Sequence, residues 1–337
     1  MEVACFYHNR GAQARLVRDS LNRLAGVQAI ALDPGSGGVP VSMDLGGTVV
    51  DGRAAGRFDV AYTHGFGYER PVTPPECPGV DRSVWRDDHV VEVQRAAFVH
   101  GLFENMERRG MTVVNPPRVW FAVFLLPVLL DRVEAAGVKV LKRVCTNDLE
   151  LADGFASEAG RTVWRPVTGR AAWQVHVRGR DVRRFGPGRP PILLAEAPPG
   201  SLVRIWTYLG RPLLCVSYRS PDVGPPERLE TVRELDPGPY VRFCEDFHEA
   251  ASIPWSLLSL VDGKDGQWLA DVDADPDFSW LPGSYRDILC LRFARALAGL
   301  EIRDTGSLLP EAARPVPAQR SALRMLYALE RAKNHGA

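Results

Sequence analysis

The sequence of 337 residues lacks an excess of either charge. Its 41 Lys and Arg residues balance 41 Asp and Glu residues, so the formal net charge at pH 7 is zero. A nucleic-acid-binding surface usually brings a basic excess or a basic stripe. The longest strongly apolar run, residues 119–130, has 12 residues, whereas a membrane-spanning helix needs roughly 20. We therefore expect neither nucleic acid nor a membrane as a partner, and we predict a buried helix at 119–130 that Pro127 interrupts or begins.

Cysteine is scarce, and several familiar catalytic motifs are absent. The six cysteines are scattered singly with no CxxC pair, which argues against a cysteine zinc site. The N-terminal MEVACFYHN has neither the basic start nor the apolar core of a secretory signal, so we expect a reducing, cytoplasmic setting with thiols acting as small buried hydrophobes. HExxH, GxSxG and GxGxxG do not occur, which argues against a zinc protease, a hydrolase nucleophile elbow and a dinucleotide site.

The first third of the chain alternates between strand-like and helix-like segments. Predicted strands cover residues 3–7, 27–32, 58–65 and 111–115, and predicted helices cover 11–25 and 87–109. We expect Asp87 or Asp88 to cap the second helix and Gly110 to end it. This alternation favours an α/β lobe with a mainly parallel sheet.

The middle of the chain changes to short strand-like segments that predict antiparallel sheets. A basic strand is expected at 138–146, and two hairpins are expected, one turning at Gly210–Arg211 and one through the DGKDG sequence after residue 261. Further helices are predicted at 128–137, 147–160, 239–251, 284–299 and 318–333.

The segment LADVDADPDFSW, residues 269–280, places Asp271, Asp273, Asp275 and Asp277 at alternate positions. A calcium loop of EF-hand type is nearly excluded, because its required Gly and Glu are both replaced by proline. An exposed acidic turn suffices for Asp275 and Asp277. Asp271 and Asp273 end an apolar strand and share one face of it, about 7 Å apart. Such a pair suits a hard divalent cation that bridges phosphates.

An ordered set of charged positions precedes this pair. WRPVTG carries Arg165, LLAEAPPGSLVRI carries Glu196 and Arg204, and Arg219 follows the next strand. With ADVDADPDF at the end, this order resembles that of the ATP-grasp superfamily, especially its carboxylate–amine ligases. The resemblance extends over roughly residues 1–303, and it is carried by the order of the motifs, because no single one is specific.

The resemblance implies a fold of mixed α/β and α+β class. It implies an N-terminal parallel α/β lobe at 1–116, a central ATP-grasp-like lobe at 117–197 with a glycine-poor flap, and a C-terminal ATP-grasp-like lobe at 198–304. The last lobes are expected to be mostly antiparallel. Residues 305–337 remain as a linker and a C-terminal helix outside the resemblance.

The resemblance also implies a set of functional residues for ATP and Mg²⁺. Arg165 takes the position of a family lysine that contacts nucleotide, and Glu196 that of the hinge acid near adenine and ribose. Arg204 and Arg219 would neutralise phosphate and acyl-phosphate oxygens. Asp271 and Asp273 would be the Mg²⁺ ligands. The implied activity is an ATP-dependent ligation of a small-molecule or peptide carboxylate to an amine through an acyl phosphate.

Departures from the family pattern leave alternatives open. A second family lysine is missing from 119–130, and the first metal acid, expected near residue 256, is replaced by Ser256. A catalytically degraded relative that acts as a binding or scaffold partner is therefore the main alternative. A third is a cleft that takes another phosphorylated or acidic ligand. The apolar run at 119–130 is a candidate for covering an interface in a homo-oligomer.

Overall fold

A computed structural model describes residues 1–8, 11–34, 39–43, 47–66, 82–165, 167, 175–177, 191–197, 199–218, 231–278, 281–302 and 308. These residues form two compact units. The first comprises the described residues between 1 and 121 together with 290–302, and the second comprises those between 122 and 289 together with residue 308. The finer division into four parts stays a prediction.

The first unit is built on a parallel sheet. Its elements in chain order are β1 Glu2–Tyr7, α1 Gly11–Leu21, β2 Gln28–Leu32, β3 Val41–Met43, β4 Thr48–Val50, β5 Arg53–Ala54, β6 Val60–His64, α2 Arg82–Arg108, β7 Thr112–Val114 and the start of α3 Pro117–Phe124. The sheet has the order β2-β1-β6-β7 with parallel pairing throughout, and β3-β4-β5 form a small antiparallel sheet. The predicted parallel α/β lobe is confirmed.

Two helix boundaries of this unit differ from the prediction. Helix α2 begins at Arg82, so Asp87 and Asp88 lie inside it instead of capping it, because no proline or glycine between Arg82 and Asp87 breaks the helix. Helix α1 ends at Leu21. The Asn22 side chain that follows donates to the Ala29 carbonyl and accepts from the Ala29 N–H, which draws the chain into β2.

The second unit carries two antiparallel sheets. Its elements are α4 Leu126–Ala135, β8 Arg143–Thr146, α5 Leu149–Ala159, β9 Thr162–Arg165, β10 Val175–Val177, β11 Ile192–Glu196, β12 Ser201–Tyr208, β13 Arg211–Tyr218, β14 Val232–Glu234, α6 Val241–Ala251, β15 Trp255–Gly263, β16 Gly266–Asp273 and the start of α7 Gly283–Leu297. The smaller sheet has the order β10-β9-β11-β8 and the larger β14-β13-β12-β15-β16. The predicted antiparallel middle region is confirmed.

The basic strand predicted at 138–146 is shorter than expected. Only Arg143–Thr146 forms β8. The Leu141 N–H donates to the Leu269 carbonyl at 3.0 Å, and the Leu269 N–H donates to the Lys139 carbonyl at 2.8 Å. Residues 139–141 therefore pair with β16 of the larger sheet and tie the two sheets together.

A hydrophobic cluster continues this connection between the two sheets of the second unit. Leu141, Val163 and Ala195 pack with Val261 and Ala270, and Leu202 and Trp268 flank them. The cluster lies on the face of β12, β15 and β16 that is turned towards the smaller sheet. It forms the apolar floor beside which the candidate site is built.

The first hairpin turns one residue earlier than predicted. Its loop is Leu209–Gly210, and both residues have positive φ, 49° and 76°. This is the backbone that a type I′ turn needs to match the twist of its strands. The second hairpin, β15 with β16, is confirmed.

The apolar run at 119–130 forms the end of α3 and the start of α4, with Pro127 in the first turn of α4. The prediction of a buried helix holds only in part, because the side chain of Leu125 is 53% exposed and that of Val128 is 63% exposed. The oligomer interface there stays a prediction. Within the described residues, no helix is both long enough and apolar enough to cross a membrane.

The cysteines mostly follow the expectation of buried thiols. Cys5, Cys215, Cys244 and Cys290 are buried, and burial raises the pKa of Cys5 and of Cys244 to about 12. Cys145 is exposed; it lies on β8, which is an edge strand of the smaller sheet.

Candidate active site

Three of the predicted site residues lie in the larger sheet, Arg204 on β12 and Asp271 and Asp273 on β16, with β15 between these two strands. Arg204 of β12 is directly opposite Ser259 of β15, and Ser259 is directly opposite Asp271 of β16. Residues opposite each other in antiparallel strands point to the same face. Arg204, Ser259 and Asp271 therefore form one line across three strands, which we term the Arg204–Asp271 row. Two strand spacings separate its ends by about 10 Å.

Asp273 extends this polar region on the same face. It is two residues beyond Asp271 on β16 and lies opposite Leu257, and residues at i and i+2 of a strand share a face. The register thus brings together the two carboxylates that the sequence indicated as metal ligands. Arg204 lies two strands away from them, with Ser259 between.

Burial distinguishes the members of this group. Arg204 is 6% exposed and Asp271 is 7% exposed, whereas Ser259 and Asp273 are half-buried. A charged side chain that is nearly buried requires an opposite charge or hydrogen bonds around it. The row therefore holds a cation and an anion away from bulk water, with a small neutral residue between them.

Local hydrogen bonds fix the direction of the two carboxylates. Asp271 Oδ1 accepts from the N–H of Val272 at 2.7 Å, and Asp273 Oδ1 accepts from the N–H of Asp275 at 2.8 Å. The second bond is an Asx turn, which ends β16 and starts the acidic loop. Each bond occupies one carboxylate oxygen with a backbone donor and so limits the rotation of the side chain.

Glu196 lies at the end of β11 in the smaller sheet. It is half-buried, opposite Thr162, and its N–H donates to the Lys142 carbonyl at 2.8 Å. The Lys142 ammonium binds Glu158 at 2.6 Å. That hydrogen bond is the main reason why the pKa of Lys142 is raised, and the negative charge of Glu196 makes a smaller contribution in the same direction.

Lys142 is a basic residue that the sequence reasoning did not single out. The Lys142 carbonyl accepts a hydrogen bond from the N–H of Glu196. The family lysine expected in residues 119–130 is absent from that segment, and Lys142 lies later in the chain. The only signal for it was the basic character of VKVLKRVCT, and its position depends on the bonds between residues 139–141 and β16.

The structure describes less of the other two predicted arginines, Arg165 and Arg219. Arg165 is the last residue of β9, opposite Leu193 of β11, and the structure does not describe its side chain. Arg219 lies outside the described residues. Their roles as nucleotide or phosphate contacts stay predictions.

Ser256 is not the residue that faces the carboxylates. It lies opposite Thr207 of β12, and both are an odd number of positions from the Arg204–Asp271 row, so they point to the opposite face. Cys244 of α6 contacts Thr207 there. The residue of β15 that faces Asp271 is Ser259, three positions later than the predicted place. Periodicity shows only that Ser256 and Ser259 fall on opposite faces of one strand; the register of β15 with β16 decides which of them faces Asp271.

The donor chemistry of this face fits one magnesium ion better than a larger cluster. Across the described ranges, no group of three or more His, Cys, Asp and Glu side chains could hold a metal ion. Two carboxylates remain, Asp271 and Asp273. Mg²⁺ is commonly bound by one or two carboxylates with water and phosphate oxygens, so these residues fit that ion if a phosphate completes its shell.

Comparison with known proteins identifies the fold. No family profile and no curated protein sequence matches the chain. Among solved structures, the chain is similar to the ATP-grasp ligase PsnB complexed with a minimal precursor, Mg and ADP, with a TM-score of 0.71, 18% identity, and coverage of 88% of this chain and 97% of PsnB.

Two other solved structures show the same likeness. The macrocyclase MdnC from Microcystis aeruginosa MRC, bound with precursor peptide MdnA, gives a TM-score of 0.67, 14% identity, and coverage of 89% of this chain and 100% of MdnC. A Chryseobacterium gregarium RiPP-associated ATP-grasp ligase, in complex with ADP and a leader and core peptide, gives 0.65, 11% identity, and coverage of 91% and 99%. The chain has the ATP-grasp fold over most of its length.

Proposed function

We propose that this chain, which has the ATP-grasp fold, is an ATP-dependent ligase that joins a carboxylate to an amine. The observation that carries the proposal is the arrangement of Arg204, Asp271 and Asp273 on one face of the larger sheet. Carboxylates that hold Mg²⁺ and a buried guanidinium are the groups needed to position and neutralise a triphosphate.

The proposed chemistry has two steps. The γ-phosphoryl group moves from ATP to a carboxylate oxygen of the substrate, and ADP leaves. The amine nitrogen then attacks the acyl carbon, an amide bond forms, and inorganic phosphate leaves with the former carboxylate oxygen. Both steps depend mainly on positioning and charge neutralisation, which rigid strands supply well.

Each described residue has a defined task in this proposal. Asp271 and Asp273 would hold Mg²⁺, which would supply positive charge next to the phosphate oxygens. Arg204 donates to phosphate or acyl-phosphate oxygens, and Glu196 accepts hydrogen bonds from the ribose or adenine. Arg165 and Arg219 remain proposed phosphate contacts from the family resemblance.

Peptides are the substrate class that we favour. PsnB, MdnC and the Chryseobacterium enzyme are each bound to a precursor, leader or core peptide in these structures. By analogy of fold, the carboxylate and the amine would both belong to a peptide, and the product would be a cross-linked or cyclic one.

The test is calorimetric titration with ATP, with and without Mg²⁺. Wild type should bind ATP in a magnesium-dependent manner, and Asp271→Asn with Asp273→Asn should lower the affinity at least about tenfold, because the phosphates lose their bridging cation. Asp275→Asn with Asp277→Asn is the matched control: it removes the same charge from the same segment and should leave affinity within about twofold.

The same titration also distinguishes the ligase proposal from its main alternative. A degraded relative that serves as a binding or scaffold partner is favoured by the lack of a third acid on this face within the described part of the chain. If wild type shows no ATP binding under either condition, the ligase proposal is wrong, and the scaffold role and a cleft for another acidic ligand are the two alternatives left. Equal loss in both double variants would refute the assignment of Asp271 and Asp273.

A further inference from the structure

Ser259 occupies the centre of the Arg204–Asp271 row. It is half-buried in a strand whose neighbouring residues, Leu258 and Leu260, are almost fully buried. A bulge at Ala270 follows directly, because Leu260 pairs with Leu269 while Ser259 pairs with Asp271. The bulge sets which residue of β15 faces Asp271, and the side chain placed there is a short hydroxyl.

The surroundings of Asp271 and Asp273 supply ligands for one cation. Opposite Asp271 is Ser259, and opposite Asp273 is Leu257. On the other side of the row, Val261 and Trp268 belong to the apolar floor. Two divalent ions that act together lie about 3.5–4 Å apart and need a further anionic ligand between or beside them. No described side chain facing this pair from β15 provides it.

Arg204 supplies an electrostatic reason against a second divalent ion at this site. Its guanidinium belongs to the same row, one strand beyond Ser259, and it is nearly buried. A second divalent ion placed over Ser259 would lie between this cation and the first metal ion. Like charges at such distances repel strongly where water is largely excluded. The guanidinium itself can bind phosphate oxygens in a bidentate manner, so the positive charge is already present.

From these observations we infer that the site holds a single divalent cation, and that Ser259 is the residue that sets this number. This inference rests on the proposed nucleotide site. A carboxylate at position 259 would face Asp271 directly and would complete the ligand set for a second ion.

The test counts bound metal ions without any turnover. Mn²⁺ is titrated into full-length protein with a saturating non-hydrolysable ATP analogue, and free Mn²⁺ is measured by electron paramagnetic resonance, with the analogue alone as the blank. Wild type should bind one equivalent per chain, and Ser259→Asp should bind two. Ser259→Asn, which has the same size without the charge, should stay at one, and so should Ser259→Ala.

Each outcome decides between distinct conclusions. Two equivalents in wild type would overturn the single-ion inference and leave the nucleotide site intact, whereas none in wild type would overturn the proposed function itself. One equivalent in both wild type and Ser259→Asp, with an unchanged melting temperature, would show that Ser259 does not set the number. Loss of metal in Ser259→Ala would make the hydroxyl a ligand, and this too would contradict the inference.

Discussion

At the scale of single residues, Arg204 is unusual because it is buried although it carries a charge in the middle of a strand. An arginine in the middle of a strand usually extends into water, but this one is 6% exposed and shares its face with Asp271. A planar guanidinium suits such a place better than an ammonium group, because it is less strongly hydrated and can bond to two oxygens at once. Arginine at this position therefore suits the phosphate contact proposed above, in surroundings from which water is largely excluded.

His100 is the residue whose ionisation should affect the stability of the first unit. Its ring lies 5.3 Å from that of Trp120 and 5.4 Å from that of Phe121. Burial lowers the pKa of His100 from its usual 6.5, although the charge of Glu104 opposes this shift. The folded protein therefore takes up this proton at a lower pH than the unfolded chain does.

The sign of the resulting pH dependence follows from linkage. The neutral form of His100 contributes unfolding free energy above pH 6.5. This contribution is lost as the pH falls from the pKa of His100 in the unfolded chain towards its lower pKa in the folded protein. His100→Gln removes the titration, so the variant should lose less unfolding free energy than wild type between about pH 7.5 and about pH 5.5. Urea unfolding at the two pH values measures the difference. An equal loss in both proteins would contradict this assignment.

At the scale of elements, the start of β12 is held by a close approach of two backbones. A Cβ on Gly200 would lie 2.7 Å from the Asp262 carbonyl oxygen and 2.7 Å from Val261 Cγ1. Only a residue without a side chain fits there. This contact fixes how β12 enters the sheet beside β15 and therefore the register that brings Arg204 opposite Ser259.

Gly200→Ala should consequently destabilise the protein by about 1–3 kcal/mol, because the backbone of β15 cannot move away without loss of pairing. Gly154→Ala is the matched control. Gly154 is an exposed residue inside α5 with nothing within 4 Å of its added Cβ, so this change should stabilise by about 0.5–1 kcal/mol. Chemical unfolding of both variants measures the pair, and equal effects would show that the contact at Gly200 has no special role.

Secondary structure was predictable where local sequence dominated. Helix α5 begins after Asp148, whose side chain accepts from the N–H groups of Glu150 and Leu151, as expected for an Asn or Asp cap. The strand at 138–146 was not predictable in full. Its first residues are strand-like by composition, but Lys139 and Leu141 bond to Leu269, more than a hundred residues later in the chain.

At the scale of the whole molecule, the balanced charge makes a prediction about solubility. The formal net charge is zero at pH 7, and proteins without net charge associate most readily. Solubility measured by precipitation with polyethylene glycol should therefore be lowest near neutrality and rise on either side, by about pH 5.5 and pH 8.5. Adding salt should flatten this minimum, because it screens the charges. A steady change with pH would contradict the expectation.

The sequence by itself determined the fold class and the residue types of the candidate site. Strand and helix periodicities are local properties, so the parallel first unit, the antiparallel sheets, and the shared face of Asp271 and Asp273 could all be derived from spacing. The tertiary structure alone decided which residues stand opposite these carboxylates. Register depends on hydrogen bonds between distant strands and on one bulge at Ala270, and a shift of one residue turns every side chain to the other face. For that reason the sequence indicated Ser256, and the folded sheet presents Ser259.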